Sequence, residues 1–304
     1  KAKINLECIM YVFIAFLSPL FYAMAVIIES MLSNHTFKRQ TTMIFYISLM
    51  NAVFLPLILI FGLPSVPSSE CLWLYLVLAL LDVIYLYPYY TAMKVIDTSI
   101  VGALFSLGEI TVPVLSFFLL GEILNLHQYI GFAIIIMASV ALSIKGSRIP
   151  KLSRAFYYMV IASLLISFRV VLIKYVMNLD GNWINMVIYP NLISGLLPFS
   201  LLLIKKYRSD IIRNFPPYLH QFKFFALNEF ICFLGLACSI YGLSKLSPVI
   251  SSSIGATQPI FMLGLSGILI YFSHFKLNEK ITRRILMKKL FCFILIILGV
   301  ILVV

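Results

Sequence analysis

Apolar residues run along this chain in blocks of about twenty, divided by short polar breaks and without the alternation of a strand. The pattern predicts ten helical spans, at about 8–29, 42–63, 72–93, 98–120, 125–145, 155–177, 183–204, 222–244, 248–272 and 286–304. About 20 residues of helix cross roughly 30 Å of hydrocarbon, and a helix satisfies its own backbone N–H and C=O groups there. The connections are short, as expected for antiparallel neighbours in a bundle. The longest, 143–154, 205–221 and 273–289, leave no room for a separate soluble domain. Trp73 and Trp183 open the third and seventh spans, where an indole anchors at a membrane interface.

The spans repeat. Residues 94–122 run from a Lys at a polar break, through small residues, to Leu120-Gly121-Glu122, and 245–279 do the same to Leu277-Asn278-Glu279. With one gap at Asp97, the stretch 99–109 lies against 249–259. Tyr46 and Pro56 in the second span are echoed by Tyr189 and Pro198 in the seventh, and Tyr90 with Lys94 by Tyr241 with Lys245. Glu29 at the end of the first span sits where Lys174 ends the sixth. The expected halves are 1–148 and 149–304, with five spans each. Five is odd, so the second half enters the membrane from the opposite side. The expected fold class is an all-α polytopic membrane protein, ten transmembrane helices as two inverted five-helix repeats, with its site near the midplane between them.

Composition agrees: 62% of the 304 residues are hydrophobic and 11% charged, with a mean hydropathy of +1.06. The runs are continuous, which disfavours an outer-membrane barrel. The net charge of +12 sits in the breaks between spans, as a topology signal and not a nucleic-acid stripe. The odd-numbered connections hold nearly all the Lys and Arg, which places them in the cytoplasm and both termini outside. The five Cys are scattered without a Cys-x-x-Cys spacing, and the four His lie far apart near span ends. Neither a metal site nor a catalytic triad is indicated, no cofactor is expected, and no cleavable signal is evident.

The two-times-five arrangement, with Leu-x-Glu closing the fourth span of each half, resembles the EamA-type transporters of the drug/metabolite transporter superfamily. The motifs that carry the resemblance are Leu120-Gly121-Glu122 and Leu277-Asn278-Glu279, preceded by Ser106-Leu107-Gly108-Glu109 and Ala256-Thr257-Gln258-Pro259. The resemblance implies a carrier of small metabolites, commonly an exporter of amino acids or toxic compounds, with cytoplasmic termini, opposite to the charge count. The family pattern has Pro at the end of the second motif. Pro259 keeps it, whereas the first half has Glu109, with Pro113 a turn later.

An ionised side chain at mid-bilayer costs at least about 2.5–3.5 kcal/mol, so a buried one marks a site or an internal pair. Four lie deep: Asp82, Glu109, Arg169 and Glu229. Three acids against one Arg leave a surplus, to be protonated, solvated or met by a cationic ligand. Ser99, Gly102, Ser106, Glu109 and Pro113 share one face of the fourth span, and Ser252, Gly255, Gln258, Pro259 and Met262 the matching face of the ninth. Such small faces serve close packing equally well. Asp82, Tyr85 and Tyr89 share a face with Tyr90 nearby, and tyrosine rings beside a carboxylate suit an ammonium group. Tyr89 and Tyr90, at a span end, are the weaker pair, being placed as interface anchors are. Asn191 and Tyr22 are lesser candidates. Glu122 and Glu279 are read as structural or gating residues, and Lys94 and Lys245 as snorkelling.

The function expected is a secondary transporter of small polar metabolites, an exporter of amino acids or related zwitterionic or cationic compounds, working by alternating access. Its partners are a small-molecule substrate and the lipid bilayer, with proton coupling through one of the acids left open and no nucleic acid. A lipid-linked carrier or flippase on the same fold is the alternative, and an intramembrane enzyme a weaker one, lacking a catalytic dyad or metal cluster. No GxxxxGK[ST] motif argues for an ATPase. The expected place is a bacterial inner membrane.

Overall fold

A computed structural model describes residues 6–37, 39–94, 108, 111–143 and 154–262, and beyond them 264–265, 287, 291–292, 294–296, 298–299 and 302–303. The described chain is all helical. Its α-helices are α1 (Leu6–His35), α2 (Gln40–Phe54), α3 (Ser69–Ile84), α4 (Leu86–Met93), α5 (Val112–Leu120), α6 (Leu126–Ser143), α7 (Arg154–Asp180), α8 (Trp183–Leu196), α9 (Lys205–Arg213), α10 (Phe215–His220), α11 (Phe222–Lys245) and α12 (Pro248–Gly255). Among the described residues, six stretches are long and apolar enough to cross a membrane: Ile9–Ser33, Gln40–Phe61, Ser69–Met93, Arg154–Asp180, Trp183–Leu203 and Phe222–Lys245. They fall on six of the ten expected spans. The other four are described only in part.

Prolines set where these helices change character. Pro56 and Pro198 each stand near the start of a 3-10 segment, Leu55–Phe61 after α2 and Leu197–Leu203 after α8. A proline ring removes a donor and crowds the carbonyl four residues back, so the chain tightens there. The third expected span is likewise not continuous: it breaks at Tyr85 between α3 and α4, three residues before Pro88, which leaves the Ile84 carbonyl without its helical donor. The Leu-Gly-Glu motif also has a physical basis. Gly121 takes φ +69°, its N–H bonds to the Phe117 carbonyl and the Glu122 N–H to that of Ser116, a left-handed stop that closes α5.

The paired tyrosines tie down opposite ends of the bundle. The Tyr46 hydroxyl donates to the Ile211 carbonyl at 2.7 Å, and that of Tyr189 to the Ser65 carbonyl at 3.0 Å. At the Tyr46 end, Thr42 donates to Asp210 at 2.8 Å and Arg39 stands 3.9 Å from the same carboxylate. At the other end, Tyr75 and Asn185 both donate to Asp180. Asp180 and Asp210 thus serve the ends, and the acids left inside the bundle need another explanation.

Helix α1 packs along α11 more extensively than any other described pair. Gly242 allows the close approach: a Cβ there would stand 2.9 Å from the Ala15 Cβ, and one at Gly235 would stand 3.2 Å from the Tyr22 ring. Gly242→Val should therefore lower stability by about 1–3 kcal/mol through overpacking. Thermal unfolding in detergent measures it, and an unchanged midpoint would contradict the tight crossing.

Candidate functional site

A cavity of about 290 Å³ lies where α1, α2, α3, α4, α7, α8 and α11 meet, closed partly by α12 and the residues just after it. Asp82, Tyr85 and Tyr22, expected as candidates, line it together with Arg169, Asn191, Glu229 and Gln258. Helical spacing brings Ser252 and Gly255 in beside Gln258. Glu109 and Ser106 lie outside the described residues.

Asp82 and Arg169 form a two-pronged pair. The Arg169 Nε faces one carboxylate oxygen, and its Nη2 donates to the other at 3.2 Å. Their side chains are only 13% and 14% exposed, so the pair is largely removed from solvent. A guanidinium so engaged is neutralised in charge, and no other base lines the cavity among the described residues.

The second polar centre includes a residue that the apolar pattern placed elsewhere. Glu29 was expected at the end of the first span as the counterpart of Lys174. Helix α1 instead continues to His35 and carries Glu29 within it, 8% exposed, facing the cavity. Glu29 receives the Tyr89 hydroxyl at 2.8 Å and the Asn228 amide at 3.5 Å. The same Asn228 Nδ2 donates to Glu229 at 2.8 Å, and Asn51 Nδ2 reaches the other Glu229 oxygen at 3.5 Å. Each of the four carboxylate oxygens therefore meets a neutral donor, and no cation accompanies the two acids among the described residues. Lys174, the expected counterpart, instead secures a helix end. Its Nζ donates to the carbonyls of Leu243 and Leu246, each at 2.9 Å, where α11 stops.

Tyr89 and Tyr90 also differ from expectation. They are 3% and 0% exposed and line the cavity beside Glu29. Glu122, half-buried at the stop after α5, does not line the cavity, and burial pushes its carboxyl above the usual range, with Lys174 opposing the shift. Lys94 donates to the Phe37 carbonyl at 3.0 Å, and Lys245 stands over the Tyr11 ring.

The sequence profile of the EamA-like transporter family matches residues 9–144. Over that stretch, a little under half of its length, the chain is similar to this family of transporters. The matched stretch supplies Tyr22, Glu29, Asn51, Asp82 and Tyr85, while Arg169, Asn191, Glu229 and Gln258 lie beyond it. No curated protein matches the chain. A crystal structure of a protein is similar in fold, with a TM-score of 0.62 and 13% identity, covering 96% of this chain and 96% of that one.

Proposed function

We propose that this transporter is a secondary carrier, working as an exporter, for small metabolites that bear an ammonium group, amino acids and related amines. The observation that carries the reading is the charge of the cavity. Among the described residues Glu29, Asp82 and Glu229 line it with Arg169 as the single base, and Arg169 is already held by Asp82. Two acids remain for a cation, with tyrosine rings beside them. A cavity of about 290 Å³ is near the lower end of small-molecule sites, about 300–1,000 Å³, and suits a metabolite better than a lipid.

A ten-span inverted repeat would support alternating access about this cavity. Two helices that tighten at Pro56 and Pro198, and two tyrosines that tie opposite ends, fit halves 1–148 and 149–304 related by inversion. Rocking of one half on the other would open the cavity to each side in turn. With two acids close together, a proton is a natural counter-ion for the empty carrier.

Reconstituted into liposomes, the protein should support counterflow of labelled amines or amino acids. Small organic anions without an amine should neither flow nor compete. Counterflow driven equally by such anions would end this reading.

A further inference from the structure

The Glu29–Glu229 corner has a third member. The carboxylate oxygens of Glu29 and Glu229 and the Sγ of Cys232 all lie within 4.8 Å of one another, a donor set suited to a metal ion. Glu29 comes from α1, whereas Glu229 and Cys232 come from neighbouring turns of α11. No sequence spacing could have joined them.

What occupies the middle of this trio is an amide. Asn228 Nδ2 stands 2.8 Å from Glu229 Oε1, 3.5 Å from Glu29 Oε1 and 3.8 Å from Cys232 Sγ. One neutral N–H donor group thus serves all three, where a cation would serve them better. Asn228 is fully buried, and its Oδ1 has no hydrogen-bond partner among the described residues. Turning the amide over would present that oxygen as a fourth ligand. Tyr90, also fully buried, lines the same cavity with its hydroxyl directed to Glu29. A buried unmatched oxygen beside two acids and a thiol completes a four-ligand donor set.

We propose that Glu29, Glu229 and Cys232, with the Asn228 amide oxygen, form a binding site for one borderline divalent cation of the zinc and cadmium class. Carboxylates alone would suit magnesium or calcium, and the sulfur moves the preference toward softer ions. Tetrahedral ligand bonds of about 2.0–2.3 Å separate the ligands by about 3.3–3.8 Å. From separations within 4.8 Å, the side chains need to close by no more than about 1.5 Å. On binding, the Cys232 thiol releases its proton to water in the cavity and the thiolate takes the metal, while the carboxylates balance the cation's charge. If the amine reading above holds, the ion competes with the substrate for Glu29 and Glu229. The metal site itself is tested without any transport.

The experiment titrates the purified full chain in detergent with Cd2+, following the ultraviolet thiolate-to-cadmium charge-transfer band, with Mg2+ as the hard-ion comparison. One Cd2+ per chain should bind and produce the band, and excess Mg2+ should not displace it. Cys232→Ser should abolish the band and Cys238→Ser should keep it. Glu29→Gln and Glu229→Gln should each weaken binding about tenfold or more. No band, a band that survives Cys232→Ser, or unchanged affinity in both Glu variants would overturn the site. Should a variant fail to fold, the unmutated chain supplies the answer. Cd2+ should protect Cys232 from a maleimide, read by peptide mass, and lack of protection would equally overturn it.

Discussion

Replacing Arg169 with Met should lower the stability of the folded protein by about 3–5 kcal/mol, because it strands Asp82 inside the bundle. Asp82 accepts from Arg169 Nη2 and pairs with its Nε, and its side chain is 13% exposed, so water replaces little of what is lost. The partner-removed state is costly for this reason. The paired state need not be a large net gain, since both charges were desolvated to form it. The double variant Asp82→Leu with Arg169→Met should accordingly recover most of the loss. Thermal unfolding in detergent distinguishes the three proteins. An Arg169→Met variant as stable as the parent would mean that the pair is solvated and dispensable, and the cavity would then offer a free acid at Asp82.

The second large effect falls on transport and leaves the fold standing. Glu29→Gln with Glu229→Gln should cut amine counterflow by roughly 30-fold or more, the equivalent of about 2 kcal/mol of lost charge pairing. Glutamine keeps shape and hydrogen-bonding capacity while removing two neighbouring buried acids. Stability should therefore hold or rise. The opposite directions would separate the two proposed roles, Arg169 with Asp82 holding the bundle and Glu29 with Glu229 meeting the ligand. Full counterflow in the double glutamine variant would sink the assignment of the ammonium to this pair, and a collapse of stability would show that the acids hold the helices together.

Much of the site was legible in the chain, for a physical reason. A charge in hydrocarbon is so costly that Asp82, Arg169 and Glu229 stood out without any structure. Tyr85 and Gln258 were reached through helical spacing, which puts residues three and four apart on one face. Glu29 escaped because the end of an apolar run is a poor guide to the end of a helix. Helix α1 continues to His35, and its polar last turns packed against neighbours look like a membrane exit in the sequence. Tyr89 and Tyr90 escaped because a tyrosine near a span end has the same local sequence whether it meets lipid headgroups or a carboxylate. Asn51, Asn228 and Cys232 carried no signal: each is small, uncharged and common inside spans.

The sequence by itself determined the class of molecule. Long apolar blocks with few charges can satisfy their backbone in lipid only as helices, so spans, breaks and the echo of Pro56 in Pro198 follow from composition and spacing. Partnership was decided by the tertiary structure alone. Each residue turns a helix by about 100° and advances it about 1.5 Å, so small differences in register decide which polar groups on different helices meet. Packing of α1 on α11 and of α3 and α4 on α7 set those registers here. That packing gave Arg169 to Asp82, brought Glu29 to Glu229, and placed a single amide between two acids and a thiol.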